Sequence, residues 1–156
     1  MKVNIVRLPH GAGLDLPSQG TPLSAGFDLS AAVDVPLEIK PRERVLVPTG
    51  FSIALPAGYE AQIRSRSGLS FRNGIIVLNS PATIDADYRG ELKVPMLNVS
   101  DESFVIERGM RFSQMVINKV ESVTWIEIEE HTDFEEMERG AKGFGSTGIH
   151  QRAEVA

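Results

Sequence analysis

Residues 44–65, RVLVPTGFSIALPAGYEAQIRS, are made of short β-favouring runs separated by Pro and Gly. The same texture recurs in VNIVRL near the start, GIIVLN from Gly74, ELKVPMLNV from Glu91, FVI at Phe104 and RFSQMVINKVESVTWIEI from Arg111. Short strands at this spacing, punctuated by turn residues, predict an antiparallel sandwich or jelly roll. Long amphipathic helix patterns are missing. The stretch RSGLSFRNG, 66–74, is the one good place for a short helix, with Ser67 as its cap and Gly74 as its stop.

The chain has 156 residues, 42% of them hydrophobic, enough for one ordinary core, so a single globular domain is expected. Lys plus Arg number 16 against 21 Asp plus Glu, and the net charge of −5 offers no overall attraction to nucleic acid or to an anionic membrane. Any phosphate site must then be local. With no cysteine there is neither a disulfide nor a thiolate metal site, which suits a reducing cytoplasm. The opening MKVNIVRLPHG has too short an apolar run for a signal peptide, and no apolar stretch reaches membrane length. A soluble, cytoplasmic protein is expected.

The segment EIEEHTDFEEMERG carries seven acidic residues from Glu127 to Glu138 and reads as a solvated face or linker. After it, RGAKGFGSTGIHQRAEVA has four glycines from Gly140 to Gly148 and too few apolar residues to pack, which predicts a mobile arm. Glycine also mixes with hydroxyls and arginine in RSRSGLS from Arg64 and in ERGMRFSQM from Glu107. Backbone N–H groups beside Gly and Ser can cradle phosphate oxygens, and arginine adds charge-assisted bonds. Each stretch alone reads most simply as a turn; GFGSTG lacks the strand, lysine and helix of a Walker loop. Several together in a small acidic protein point to a polyphosphate ligand. His10, His131 and His150 are scattered and do not make a metal site. Acid–base work therefore falls to a carboxylate, and NSPATIDADYRGELKV, 79–94, packs Asp85, Asp87, Tyr88 and Arg89 more closely than a turn alone needs.

Together, AGFDLSAA from Ala25, RSGLS from Arg66, NSPATIDADYRGE from Asn79, RGMRFSQ from Arg108 and RGAKGFGSTG from Arg139 resemble, in order and spacing, the motifs of the trimeric dUTP diphosphatases, the dUTPases. The resemblance runs from about Ala25 to Gly148. It implies an all-β jelly roll forming a homotrimer that hydrolyses dUTP to dUMP and pyrophosphate with Mg²⁺, limiting uracil in DNA and supplying dUMP for thymidylate synthesis. By the same resemblance Asp85 is the general base for the water that attacks the α-phosphorus, and the Tyr88 ring lies under the deoxyribose, where a 2′-hydroxyl would collide. Uracil is read by the backbone of a hairpin over 79–84, including Thr83 and Ile84, with Asn79 helping to hold it. Arg66, Ser67 and Gly68 form the triphosphate cradle, Gln114 contacts phosphate, and Asp28 stands near the water shell of the metal. Arg139, Phe144, Gly145, Ser146 and Thr147 belong to an arm that closes with the phenylalanine over the uracil. Each site is shared by three subunits: one gives the cradle, a second the hairpin, the third its arm. The implied division is a β domain at 1–138 and the arm at 139–156.

Four positions depart from the usual motifs: Ser65 where proline is common, Ala82 for glycine, Ser113 for alanine and Lys142 for glycine. Arg111, Met115 and Trp125 are read as strand and interface packing. Two rivals stand beside this reading. A dCTP deaminase of the same fold would need a catalytic glutamate where this chain has Pro95; a non-catalytic nucleotide-binding trimer could use the same pocket for regulation.

Overall fold

The computed structural model describes residues 1–128, 137 and 139–144. In chain order it has β1 (Asn4–Arg7), β2 (Ser18–Gln19), β3 (Phe27–Ser30), β4 (Leu37–Ile39), β5 (Arg44–Pro48), β6 (Phe51–Ala54) and β7 (Tyr59–Ser65). Then follow α1 (Ser67–Asn73), β8 (Ile75–Val77), β9 (Ala82–Ile84), β10 (Lys93–Asn98), β11 (Phe104–Ile106) and β12 (Arg111–Lys119). Every ladder is antiparallel. The largest sheet has the order β2-β3-β12-β7-β9; β5-β10-β8 form a second, and β1-β6 and β4-β11 pair separately. The all-β expectation with one short helix holds.

Alternation explains why these runs become strands. In β7 Ala61 and Ile63 are buried between polar neighbours, and in β10 Val94, Met96 and Asn98 point inward in turn. A period of two puts one face of each strand on the core. That core includes Leu29, Ile39, Val47, Ile53, Ile106, Phe112 and Met115. Asn98 is fully buried among them and satisfied: its Nδ2 donates to the carbonyls of Ile39 and Glu102, and its Oδ1 accepts from the Ser100 N–H and hydroxyl. An unpaired amide there would lose its water without compensation.

Three expectations are corrected. Ser67 is not the helix cap; it is the first residue of α1, and the cap position belongs to Arg66, whose side chain makes no capping bond. Gly74 does end the helix, in the left-handed conformation at φ 64° that only glycine adopts without strain. The 79–84 segment is not a hairpin, since β8 pairs with β10 and β9 with β7. It carries the chain from one sheet to the other through a cis Ser80–Pro81 peptide. The long run from Arg111 stays in the ladder only as far as Lys119, because its partner β7 begins at Tyr59, opposite Lys119. The N–H of Val120 makes one further bond, to the Gly58 carbonyl.

By compactness the chain divides into Met1–Ser122 and a second unit from Val123. In the second, the N–H of Gly140 donates to the Met137 carbonyl at 2.9 Å and that of Lys142 to Arg139 at 3.1 Å. The acidic residues at 129–136 and 138 lie outside the described residues.

Candidate active site

The cradle residues converge on one open cleft of about 610 Å³ at the end of the large sheet. The antiparallel register of β3 against β12 sets Asp28 opposite Gln114, and β12 against β7 sets Gln114 opposite Arg64, two residues before Arg66. Ser67 and Gly68 open α1 on the same rim; the first N–H groups of a helix have no partner inside it. Arg64 and Arg72 also line the cleft, so arginines outnumber its only acid, Asp28. An otherwise acidic chain thus builds a locally positive hollow.

Asp28 organises that charge. Its Oδ1 meets Nε of Arg66 at 3.1 Å and its Oδ2 meets Nη1 of Arg111 at 3.0 Å, while Arg66 Nη1 donates to the Arg111 carbonyl at 2.6 Å. Two guanidiniums on one carboxylate leave a net positive charge and hold Arg66 in one orientation. Arg111, read from sequence as packing, is therefore a member of the site's ion-pair network; Met115 is buried in the core, and Trp125 is 91% exposed in the single chain. The only local hint of Arg111 was its place beside Gln114 in RFSQ.

Gln114 is fixed from two sides. Its Nε2 donates to the Ser65 carbonyl at 2.9 Å, and its Oε1 fills the space over Gly26, where a Cβ would lie 2.3 Å away. Ser65, in place of the usual proline, uses its hydroxyl to accept the N–H of Val77 at 2.8 Å, tying the strand before α1 to β8. Ser113 is its cross-strand partner and is fully buried.

Asp85 is elsewhere. It follows β9 as an exposed side chain and, with Thr83, Tyr59, Glu60 and Glu121, lines a separate depression. Because Ile84 pairs with Ala61, Asp85 lies level with residue 60 of β7, while the cradle begins at residue 66. At about 3.3 Å per residue, those six positions put roughly 20 Å between Asp85 and Arg66 within one chain.

The crowding of Asp85, Asp87, Tyr88 and Arg89 now has a structural account. The Tyr88 N–H closes a turn on the Asp85 carbonyl at 3.1 Å. Arg89 folds its Nη1 onto the carbonyls of Ala86 and Tyr88 at 2.6 and 2.8 Å, and the Tyr88 hydroxyl donates to the Glu91 carbonyl at 3.0 Å. Gly90 lies against the phenol, where a Cβ would come within 2.3 Å of the hydroxyl oxygen. The ring is 43% exposed. Ile84 is half-buried, Asn79 and Thr83 are exposed, and Ala82, at the usual glycine position, is buried.

In the second unit Arg139 donates from Nε to the Lys142 carbonyl at 3.1 Å, and Phe144 is fully exposed. Gly145, Ser146 and Thr147 lie outside the described residues.

The family model for dUTPase matches residues 12–148. Deoxyuridine 5'-triphosphate nucleotidohydrolase of Rhizobium johnstonii is 54% identical over 149 residues, covering 94% of each chain. The protein of that name from Rhizobium meliloti is 55% identical, over 94% of this chain and 91% of its own. Among solved structures, Staphylococcus bacteriophage 80alpha dUTPase with dUPNHPP superposes with a TM-score of 0.83 at 26% identity, over 95% of this chain and 99% of the phage protein. The chain belongs to the dUTPase family.

Proposed function

We propose that this chain hydrolyses dUTP to dUMP and pyrophosphate, at sites completed only when three copies assemble. The observation that carries the reading is the separation within one chain of an assembled, positive cradle from the carboxylate that would activate water. In a cyclic trimer the cradle of one copy faces the Asp85 segment of the next.

The cradle of Arg66, Ser67, Gly68 and Gln114 grips the triphosphate, with Asp28 keeping Arg66 aimed. Asp85 accepts a proton from water as its oxygen forms a bond to the α-phosphorus. The bond from that phosphorus to the bridging oxygen then breaks and pyrophosphate leaves. Tyr88 supports the deoxyribose, and backbone at Asn79, Thr83 and Ile84 reads uracil. A pyrimidine with an amine at position 4 leaves a buried acceptor or donor unpaired, which is the costlier mismatch. The glycine-rich arm, residues 139–156, closes over the site, with Phe144 on the uracil and Arg139, Gly145, Ser146 and Thr147 on the phosphates.

Among the described residues no three acidic, histidine or cysteine side chains cluster to hold a metal. Both Asp28 oxygens are engaged by arginine, which fits a cation held by substrate phosphates and water, with Asp28 reached only through that water. Mg²⁺ bound in this way would neutralise charge building on the triphosphate. No described helix is long and apolar enough to cross a membrane, and a cytoplasmic enzyme limiting uracil in DNA and supplying dUMP is the setting we propose.

Pyrophosphate release from dUTP, dCTP, UTP and TTP tests the reading. Turnover of dUTP should exceed that of the others by roughly 100-fold or more. Tight dUTP binding without turnover would favour a regulatory trimer. Ammonia from dCTP would favour a deaminase, although Pro95 sits within β10 opposite Leu46 and supplies no acid.

A further inference from the structure

Glu91 follows the Asp85–Gly90 turn, and its side chain is only 9% exposed. Its Oε1 accepts from Nε2 of His10 at 2.6 Å and from the N–H of Gly50 at 2.9 Å, and its Oε2 faces Nζ of Lys93 at 3.5 Å. Burial pushes this carboxyl up, but the His10 hydrogen bond, the Gly50 N–H and the charges of His10 and Lys93 outweigh it and hold the group below the usual carboxylate range. His10 and Gly50 come from parts of the chain far from Glu91 in sequence. Gly50, at φ 74°, packs its backbone against Gly11, leaving no room for a Cβ on either. His10 in turn is anchored by Arg108, which donates to the carbonyls of His10 and Ala12 at 2.9 and 2.8 Å.

The backbone of Glu91 meanwhile holds Tyr88, whose hydroxyl donates to the Glu91 carbonyl. The next residue, Leu92, is bonded into the body on both sides, its N–H to Phe51 at 2.8 Å and its carbonyl accepting the Thr49 hydroxyl at 2.8 Å. Tyr88 itself is half out of the protein: its backbone is held in the Asp85 turn and its ring rests on Gly90, while its hydroxyl hangs from the residue 91 carbonyl, which sets the outer end of the ring.

We propose that Glu91 is a positioning residue for sugar selection: its carboxylate, clamped by His10 and the Gly50 N–H, fixes the backbone carbonyl from which Tyr88 hangs. This rests on the reading of Tyr88 as the floor beneath the deoxyribose. A carboxylate serving stability alone would change the melting temperature and leave the choice between dUTP and UTP untouched.

The test compares kcat/KM for dUTP and UTP, with melting temperature and trimer content, in Tyr88→Ala, Glu91→Ala, Glu91→Gln and His10→Ala. Tyr88→Ala, the reference, should narrow the dUTP/UTP ratio. Glu91→Ala should narrow it about tenfold, largely through better use of UTP, and Glu91→Gln should restore most of it because the amide oxygen still accepts the Gly50 N–H. His10→Ala, which keeps the Gly50 bond, should fall between and decides the matter if Glu91→Ala does not fold. A folded Glu91→Ala or, failing that, His10→Ala with the wild-type ratio, beside a Tyr88→Ala that narrows it, overturns the role of Glu91. An unchanged ratio in Tyr88→Ala itself overturns the reading of Tyr88 and the clamp with it.

Discussion

Asp85→Asn is expected to bind nucleotide as the wild type does and to lose turnover by roughly 100- to 10,000-fold, the usual worth of a positioned general base. The amide keeps the shape of the carboxylate and can still hydrogen-bond water, but it cannot take the proton. Asp85 is exposed just beyond β9, so the exchange disturbs no packing and the protein should fold and assemble normally. Calorimetry with a non-hydrolysable dUTP analogue, run beside a pyrophosphate assay, separates the two effects. Turnover within a few-fold of wild type would place the base on another residue.

Deleting residues 139–156 should spare the fold and remove most activity. All twelve strands and α1 of the described residues lie within Met1–Ser122, so the deletion removes no residue of the described ladders. What goes, in the function we propose, is the aromatic cover and the arm's grip on the phosphates. A base–aromatic stack alone contributes about 1 to 3 kcal/mol, a loss of roughly 5-fold to 160-fold in kcat/KM if it is made fully in the transition state. Size-exclusion chromatography should show the same assembly and thermal melting the same midpoint. A truncated protein with wild-type kcat/KM would leave the arm without a catalytic role.

Reading the sequence found what is local. Strands such as β7 and β10 announce themselves by β-favouring residues between Pro and Gly, and Gly74 marks the end of α1. The short β2, β3 and β4 were missed as strands because each borders polar turn residues, so pairing partners, not their own composition, make them strands. The end of β12 is set by the length of β7, which its own apolar run to Ile128 does not reveal. In the candidate site, the motifs picked out residues that line one cleft and the turn that follows Asp85. The ion pair of Asp28 and Arg111 joins residues 83 apart and depends on the register of β3 against β12, a long-range property. Glu91 escaped for the same reason: in the chain it reads as an ordinary acid after a turn, and only the fold brings His10 and Gly50 onto it. Ser65 reads as the loss of a proline, whereas its hydroxyl makes a bond to Val77 that proline could not.

The claim that base and cradle come from different copies is tested most directly by mixing two disabled proteins. Arg66→Ala lacks a working cradle and Asp85→Asn lacks the base, so each should be inactive alone. In a cyclic trimer of either mixed composition, one site in about three pairs an intact cradle with an intact Asp85 from its neighbour. Random assembly makes about three-quarters of trimers mixed, so co-refolding equal amounts should recover about a quarter of wild-type dUTP hydrolysis. Mass spectrometry of the refolded sample establishes that mixed trimers formed. If they are present and hydrolysis stays at the level of the separate variants, both groups serve a site within one chain and the shared-site account is wrong.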